Sequence, residues 1–190
     1  DLTYPEFITR LARTAWEVSQ AHGIPAPTLL GEFGRYTTAA HGLHLFRVLK
    51  AKDNGSQTPW YLIDGSVMSS FPDAWALGLE FQVLPLNHLD KPFQRVRLGG
   101  LTCDTDDIYP TRKNHQPLYL PVETKGLYIG VFGIGAYQEM LGGIRGAKHC
   151  LLPEASELII EGFDDGGALR YSVMPEQSYE DILYLLGYRA

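Results

Sequence analysis

The hydrophobic period of the chain changes near residue 42, and that change limits the folds open to it. Before it, Phe7, Ile8, Leu11, Ala12, Ala15 and Trp16 recur at the spacing of an amphipathic helix. Thr3 with Glu6 supplies a capping box at its start, and Gly23 ahead of Pro25 supplies a stop. IPAPTLLGE then reads as a short extended strand. From Leu43 onward the period is two: LHLFRVLKAK and TPWYLIDGS flank KDNGSQ, where Asn54-Gly55 is a strong hairpin signal. Further strands are expected at EFQVLPL, QRVRLGG and GLYIGVFG, and SELIIEGF with GALRYSVM encloses Asp164 to Gly167 as a second hairpin. Short helices fit SSFPDAW, AYQEMLGG and SYEDILYLLG, the last opened by a capping box of Ser178 and Asp181.

Twenty glycines and twelve prolines spread through 190 residues favour many short elements joined by turns over a helical bundle. The pattern therefore predicts an α+β chain, a mostly antiparallel β-barrel or sandwich behind a helix–strand piece, with the division placed at 1–42 and 43–190. A net charge of −6 disfavours nucleic acid and anionic membrane surfaces as partners, because both reward basic patches, and it suits a small cationic ligand. No apolar run is long enough to span a membrane. Cys103 and Cys150 form neither a metal-type spacing nor a disulfide framework, which points to a reducing, cytoplasmic setting. The chain starts at Asp1 with no initiator methionine and no signal-peptide pattern, so it is expected to be a processed or excised piece.

Three short motifs could carry chemistry. Glu32-Phe33-Gly34-Arg35 follows the expected strand. A glycine there lets backbone approach a ligand, an arginine offers a planar fork for phosphate, and a glutamate can hold a protonated ring nitrogen. A turn with a Glu–Arg ion pair is the competing reading. Gly133-Ile134-Gly135-Ala136-Tyr137 stands between a strand and an expected helix, where backbone N–H groups and a tyrosine hydroxyl can face an anion, or where the chain simply turns. The third motif, GGLTCDTDDIYP, sets Cys103 among Asp104, Asp106 and Asp107. Neighbouring carboxylates disfavour a thiolate, so Cys103 reads as a neutral thiol able to donate a proton, with the aspartates attracting a cation or a hard metal ion. A solvated acidic loop with an incidental cysteine is the alternative. His41 and His44 are three apart and read as ordinary histidines, because on a strand they point to opposite faces. Trp60, Tyr61, Phe71 and Trp75 read as core.

Taken in this order, the three motifs resemble the C-terminal part of the fold-type III, pyridoxal-phosphate-dependent amino-acid decarboxylases. Within that family SFPDAWALGLEFQVLPLNHLDKP, LTCDTDD and GAYQEMLGG are most similar to the biosynthetic arginine decarboxylases, ahead of the ornithine and diaminopimelate enzymes. The resemblance implies an N-terminal (β/α)8 barrel joined to a β-domain, so that residues 1–42 are the end of the barrel. It implies conversion of L-arginine to agmatine and CO2 in polyamine and spermidine biosynthesis, with pyridoxal 5'-phosphate as cofactor and Mg2+ as a further candidate. Glu32 is implied to pair with the cofactor's ring nitrogen, and Gly34, Arg35 and Tyr137 to hold its phosphate. Cys103 is implied to protonate the carbon that CO2 leaves, and Asp104 to bind the distal cationic group of the substrate. Asp73 and Asp107 are further substrate-binding candidates, with Asp106 beside them. In the family the cysteine loop enters the partner subunit's site, which implies a homodimer or a larger assembly. The lysine that carries the cofactor lies upstream of the Glu-x-Gly-Arg motif in the family. Lys50, Lys52, Lys91, Lys113, Lys125 and Lys148 are all downstream of it here, so the chain is expected to need the missing barrel segment for turnover. A non-catalytic regulatory subunit and a metal-binding β-domain are the competing functional classes.

Overall fold

The computed structural model describes residues 3–53, 55, 58–138 and 150–188. The chain divides into two compact units, 1–34 and 35–190. In the first, helix α1 (Tyr4–Ala21) forms as its period predicts. Thr3 N–H donates to Glu6 Oε2 at 2.7 Å, completing the capping box, and Pro5 occupies the first turn, where a missing N–H costs nothing. Gly23 takes φ +64°, the left-handed conformation that ends a helix. The expected strand at IPAPTLLGE does not form. A strand is a hydrogen-bonded ladder, and among the described residues of this unit no second strand offers one, so 24–33 run without regular structure and Leu30 is 95% exposed. Tyr4 and Phe33 meet edge to face at 5.4 Å.

The second unit opens with α2 (Gly34–Thr38), whose first residue marks the division, and a 3-10 turn (Ala39–His41), then enters β1 (Leu43–Lys52). Its sheet is completed by β2 (Trp60–Ile63), β3 (Gln82–Pro85), β4 (Phe93–Gly99), β5 (Ile108–Tyr109), β6 (Leu118–Pro121) and β7 (Tyr128–Phe132). The strand path is β3-β7-β1-β2-β4-β5, with β6 also paired to β4. The first expected hairpin is present as the antiparallel β1–β2 pair, with Gly55 at φ +76°; Asn54 lies outside the described residues. The sheet is mostly antiparallel, as expected, and curls into a half-barrel, but it is not a wholly antiparallel sandwich. It is a curled mixed sheet, because β2 runs parallel to β4, Trp60 opposite Arg97 and Leu62 opposite Gly99. Parallel neighbours need a long crossover. Here the crossover carries α3 (Val67–Ser70) and α4 (Asp73–Ala76), the two short helices expected at SSFPDAW.

Alternation along the strands turns Phe46, Val48, Tyr61, Ile63, Val83, Val96, Leu98, Ile129 and Val131 into one core with Phe71 of the crossover. The buried tyrosines are satisfied: Tyr61 Oη donates to the Pro121 carbonyl at 2.7 Å, and Tyr109 Oη to that of Phe81 at 2.7 Å. Trp60 and Trp75 are half-buried, Trp60 beneath the Arg97 guanidinium at 5.6 Å. The second expected hairpin, β8 (Glu157–Phe163) and β9 (Leu169–Met174), forms a separate two-stranded sheet closed by Gly167 at φ +81°. α5 (Tyr179–Leu185) follows, with Asp181 N–H donating to Ser178 Oγ at 3.1 Å. The helix expected at AYQEMLGG lies mostly outside the described residues. No helix among the described residues is long and apolar enough to cross a membrane.

Candidate active site

The crossover between β2 and β4 organises two clusters, each built on a buried aspartate. At its start, Asp107 of the cysteine loop reaches α3. Its Oδ1 accepts from Ser66 Oγ at 3.0 Å, Val67 N–H at 2.7 Å and Met68 N–H at 3.4 Å. Its Oδ2 accepts from Thr102 N–H at 2.9 Å and Thr102 Oγ1 at 2.7 Å. Gly100 N–H returns to the Asp107 carbonyl at 2.9 Å. A Cβ on Gly100 would stand 2.3 Å from the carboxylate oxygens, so only glycine admits this closure. Asp107, 3% exposed, is thus the hub that fixes the loop between β4 and β5.

On that loop Cys103 is exposed. Asp104 is half-buried and its Oδ1 accepts the Asp106 N–H at 2.7 Å, an Asx turn that sets the carboxylate beside the thiol's own loop. Asp106 pairs with Arg112 at 3.4 Å, both reached by solvent.

Further along the crossover, Asp73 opens α4 and is 3% exposed. Arg35 Nη2 donates to its Oδ2 at 2.5 Å. Gln138, 1% exposed, donates through Nε2 to the same oxygen at 2.7 Å and to the Ala136 carbonyl at 2.9 Å, while its Oε1 accepts the Asp73 N–H at 3.2 Å. The Arg35 guanidinium also lies over the Tyr137 ring, 5.2 Å from its centroid, and Tyr137 takes φ +69°.

The glycines of Gly133-Ile134-Gly135 act differently from the anion cradle considered above. Gly135 N–H donates to the Ala39 carbonyl at 3.0 Å and Ile134 N–H to that of Gly42 at 3.3 Å. A Cβ on Gly135 would stand 2.2 Å from Thr38 O, and one on Gly42 would stand 2.4 Å from Gly135 N. The two glycines let two turns touch, and that contact brings Tyr137 to Arg35.

The structure therefore gathers Arg35, Asp73 and Tyr137, which the sequence motifs place far apart, and adds Gln138, which no motif singled out. The Asp73 and Asp107 carboxylates, candidates for substrate, are held by Arg35 with Gln138 and by the five donors around α3. Glu32 and Gly34 belong to the first unit and are exposed. His41 is in the 3-10 turn, and His44 on β1 carries a buried Nε2 without a hydrogen-bond partner among the described residues. Burial pushes the His44 imidazole below its ordinary range, opposed by a hydrogen bond with the Ser70 backbone. Among the described residues no three His, Cys, Asp or Glu side chains are grouped to hold a metal ion.

The fold is that of amino-acid decarboxylases. The biosynthetic arginine decarboxylase of Campylobacter jejuni superposes over 100% of this chain and 46% of its own, with a TM-score of 0.75 at 20% identity. A diaminopimelate decarboxylase superposes over 92% of this chain and 40% of its own, with a TM-score of 0.62 at 22% identity. Sequence narrows the relation. The biosynthetic arginine decarboxylase of Prochlorococcus marinus (strain AS9601) is 33% identical over 135 residues, 67% of this chain and 20% of the relative. That of Pseudomonas aeruginosa is 35% identical over 130 residues, and arginine decarboxylase 1 of Oryza sativa subsp. japonica 43% over 91, these covering 65% and 45% of this chain and 20% and 13% of the relatives. The chain is a homologue of the biosynthetic arginine decarboxylases, and the match spans about a fifth of the length of the first two relatives. No protein-family model matches the chain.

Proposed function

We propose that this chain is the C-terminal part of a pyridoxal-phosphate-dependent arginine decarboxylase, acting on L-arginine to give agmatine and CO2. The observation that carries the reading is the likeness to biosynthetic arginine decarboxylases across two thirds of the chain. In this reading residues 1–42 end a barrel whose remainder supplies the cofactor lysine, and 43–190 are the β-domain of a homodimer. The residues present fit the cofactor's anionic end: a half-exposed arginine is held in place over a tyrosine ring, both on one unit.

Pyridoxal phosphate, when bound, supplies the electron sink for loss of CO2. Arg35 holds its phosphate with the Tyr137 hydroxyl, and Gly34 leaves room for the close approach. Glu32 keeps the ring nitrogen protonated by pairing with it. Cys103, exposed on a loop pinned by Asp107, delivers the proton that replaces CO2 on the substrate carbon. Asp104, fixed on the same loop, receives the guanidinium of arginine. Asp73 and Asp107, buried and already hydrogen-bonded, serve this site by holding Arg35 and the loop.

Agmatine formation by the full-length protein tests the reading, with ornithine and diaminopimelate assayed beside arginine. Arginine is expected to be the preferred substrate, and Cys103→Ala to slow product formation about 100-fold, the lower range for loss of a positioned proton donor, or to divert the product. Absence of cofactor binding and of any amine product would overturn the reading. Unchanged kinetics in Cys103→Ala would remove the role of the thiol.

A further inference from the structure

We propose that Gln138 and Asp73 form a positioning pair that presets the Arg35 guanidinium for an anionic group, an inference that rests on the reading of Arg35 as the phosphate-holding residue. The Gln138 amide can adopt one orientation only. Its Oε1 meets a donor, the Asp73 N–H at 3.2 Å, and its Nε2 meets two acceptors, Asp73 Oδ2 at 2.7 Å and the Ala136 carbonyl at 2.9 Å. Turning the amide over would set donor against donor and acceptor against acceptor. Gln138 therefore fixes where Asp73 Oδ2 points, and that oxygen is the one Arg35 Nη2 reaches at 2.5 Å.

The guanidinium is constrained a second way, by the Tyr137 ring beneath it at 5.2 Å. An in-plane anchor and a stacking face together define its position and its tilt. Its side chain is still 39% exposed, so it faces outward from a buried mount. An arginine that is ordered beforehand loses less side-chain freedom when an anion binds, and affinity rises accordingly. The pair has a further chemical consequence. Asp73 takes one Nη2 N–H of the fork and lessens the local positive charge, so the pair favours geometry over raw attraction. A lysine at position 35 could not use such a mount, because it lacks the planar fork.

The test is made on the full-length protein with two probes, pyridoxal phosphate and inorganic phosphate, titrated by calorimetry. Arg35→Ala is expected to weaken both by about 100-fold, as loss of a charged hydrogen-bonding partner does. Gln138→Met, similar in volume, is expected to weaken both about tenfold, the scale of one side chain that must now be ordered on binding. Gln138→Met with wild-type affinity, while Arg35→Ala binds weakly, overturns the inference and leaves the role of Arg35 standing. Arg35→Ala with wild-type affinity overturns both.

A second measurement needs no folded variant at position 138. With arginine labelled by 13C and 15N and no ligand added, a held guanidinium rotates slowly and gives separate Nη signals, whereas a freely turning one gives an averaged signal. The Arg35 resonance, identified by its loss in Arg35→Lys, is expected to be resolved in the wild type. An averaged signal there overturns the inference, and in Gln138→Met averaging is the expected result.

Discussion

The Arg35 cluster and the cysteine loop are built alike and hold unlike things. Each rests on an aspartate that is 3% exposed, Asp107 set against the start of α3 and Asp73 opening α4. Asp73 gives an oxygen to a guanidinium that solvent still reaches, so the pair's charges oppose each other at the surface. Asp107 receives five neutral donors, three from the start of α3 and two from Thr102, so its work is architectural. The difference teaches that a buried carboxylate beside a site can serve the site by aiming a cation or by shaping a loop, and the partners decide which. Removing Asp107 strands the three buried donors at the start of α3. Asp107→Ala should therefore destabilise the protein by about 3–5 kcal/mol, the cost of a buried charged acceptor with several bonds. Urea unfolding followed by circular dichroism would show it as a lower midpoint at unchanged slope.

Asp73→Ala should cost less, about 2 kcal/mol, because the freed Arg35 can rehydrate and only the Gln138 Nε2 loses a buried acceptor, keeping its bond to the Ala136 carbonyl. Its larger effect should be on phosphate-group affinity. The same urea experiment run on both variants breaks the comparison if Asp73→Ala proves as costly as Asp107→Ala, since Arg35 would then be behaving as a buried charge.

The sequence disclosed what local chemistry decides. The capping boxes at Thr3 and Ser178, the hairpin at Gly55 and the alternation that buries Phe46 and Val48 all depend on residues near each other in the chain. It did not disclose what depends on partners far away. IPAPTLLGE has the apolar content of a strand and no ladder to join. The β2–β4 pairing is parallel because a crossover inserts between them, and β5 and β6 are too short to carry a period. The motif around Cys103 was legible as an acidic loop, yet nothing in CDTDD separates the half-buried Asp104 from the buried Asp107. Gly99-Gly100 was the available signal, since a glycine marks where the carboxylate needs room. Gln138 lies in the GAYQEMLGG stretch that carried the resemblance, yet nothing marked it as a site residue, because a polar residue after a turn looks like surface.

His44 sharpens the comparison through pH. It sits on β1, and its ring contacts the backbone of Ser70, which closes α3 between the two aspartate clusters. Burial lowers its pKa in the folded state below the ordinary 6.5, while the unfolded chain keeps the ordinary value. Below pH 6.5 the unfolded state thus binds more protons than the folded one, so this contribution is complete above that pH and is lost as pH falls toward the folded pKa. The slope for one group is at most about 1.4 kcal/mol per pH unit. Stability measured from pH 7.5 to 5 should fall more steeply in the wild type than in His44→Gln. Equal slopes would mean that the imidazole finds a partner when it charges.

The smallest effect belongs to a third aspartate, which the surface keeps wet. In the capping box of α5, Asp181 Oδ2 accepts from the Ser178 N–H at 3.1 Å and from Ser178 Oγ at 2.9 Å, and all these groups face solvent. When Ser178 is replaced by alanine, water can take over most of these bonds, which neither buried cluster allows. The expected loss is about 1 kcal/mol, confined to one helix. Because β8, β9 and α5 contribute nothing to the apolar core cluster, the loss should appear as faster hydrogen exchange in 179–185 with the global unfolding midpoint unmoved. A shift of the global midpoint would show that this C-terminal segment unfolds together with the sheet, and the contrast between buried and exposed carboxylates would then have to be measured within one cooperative unit.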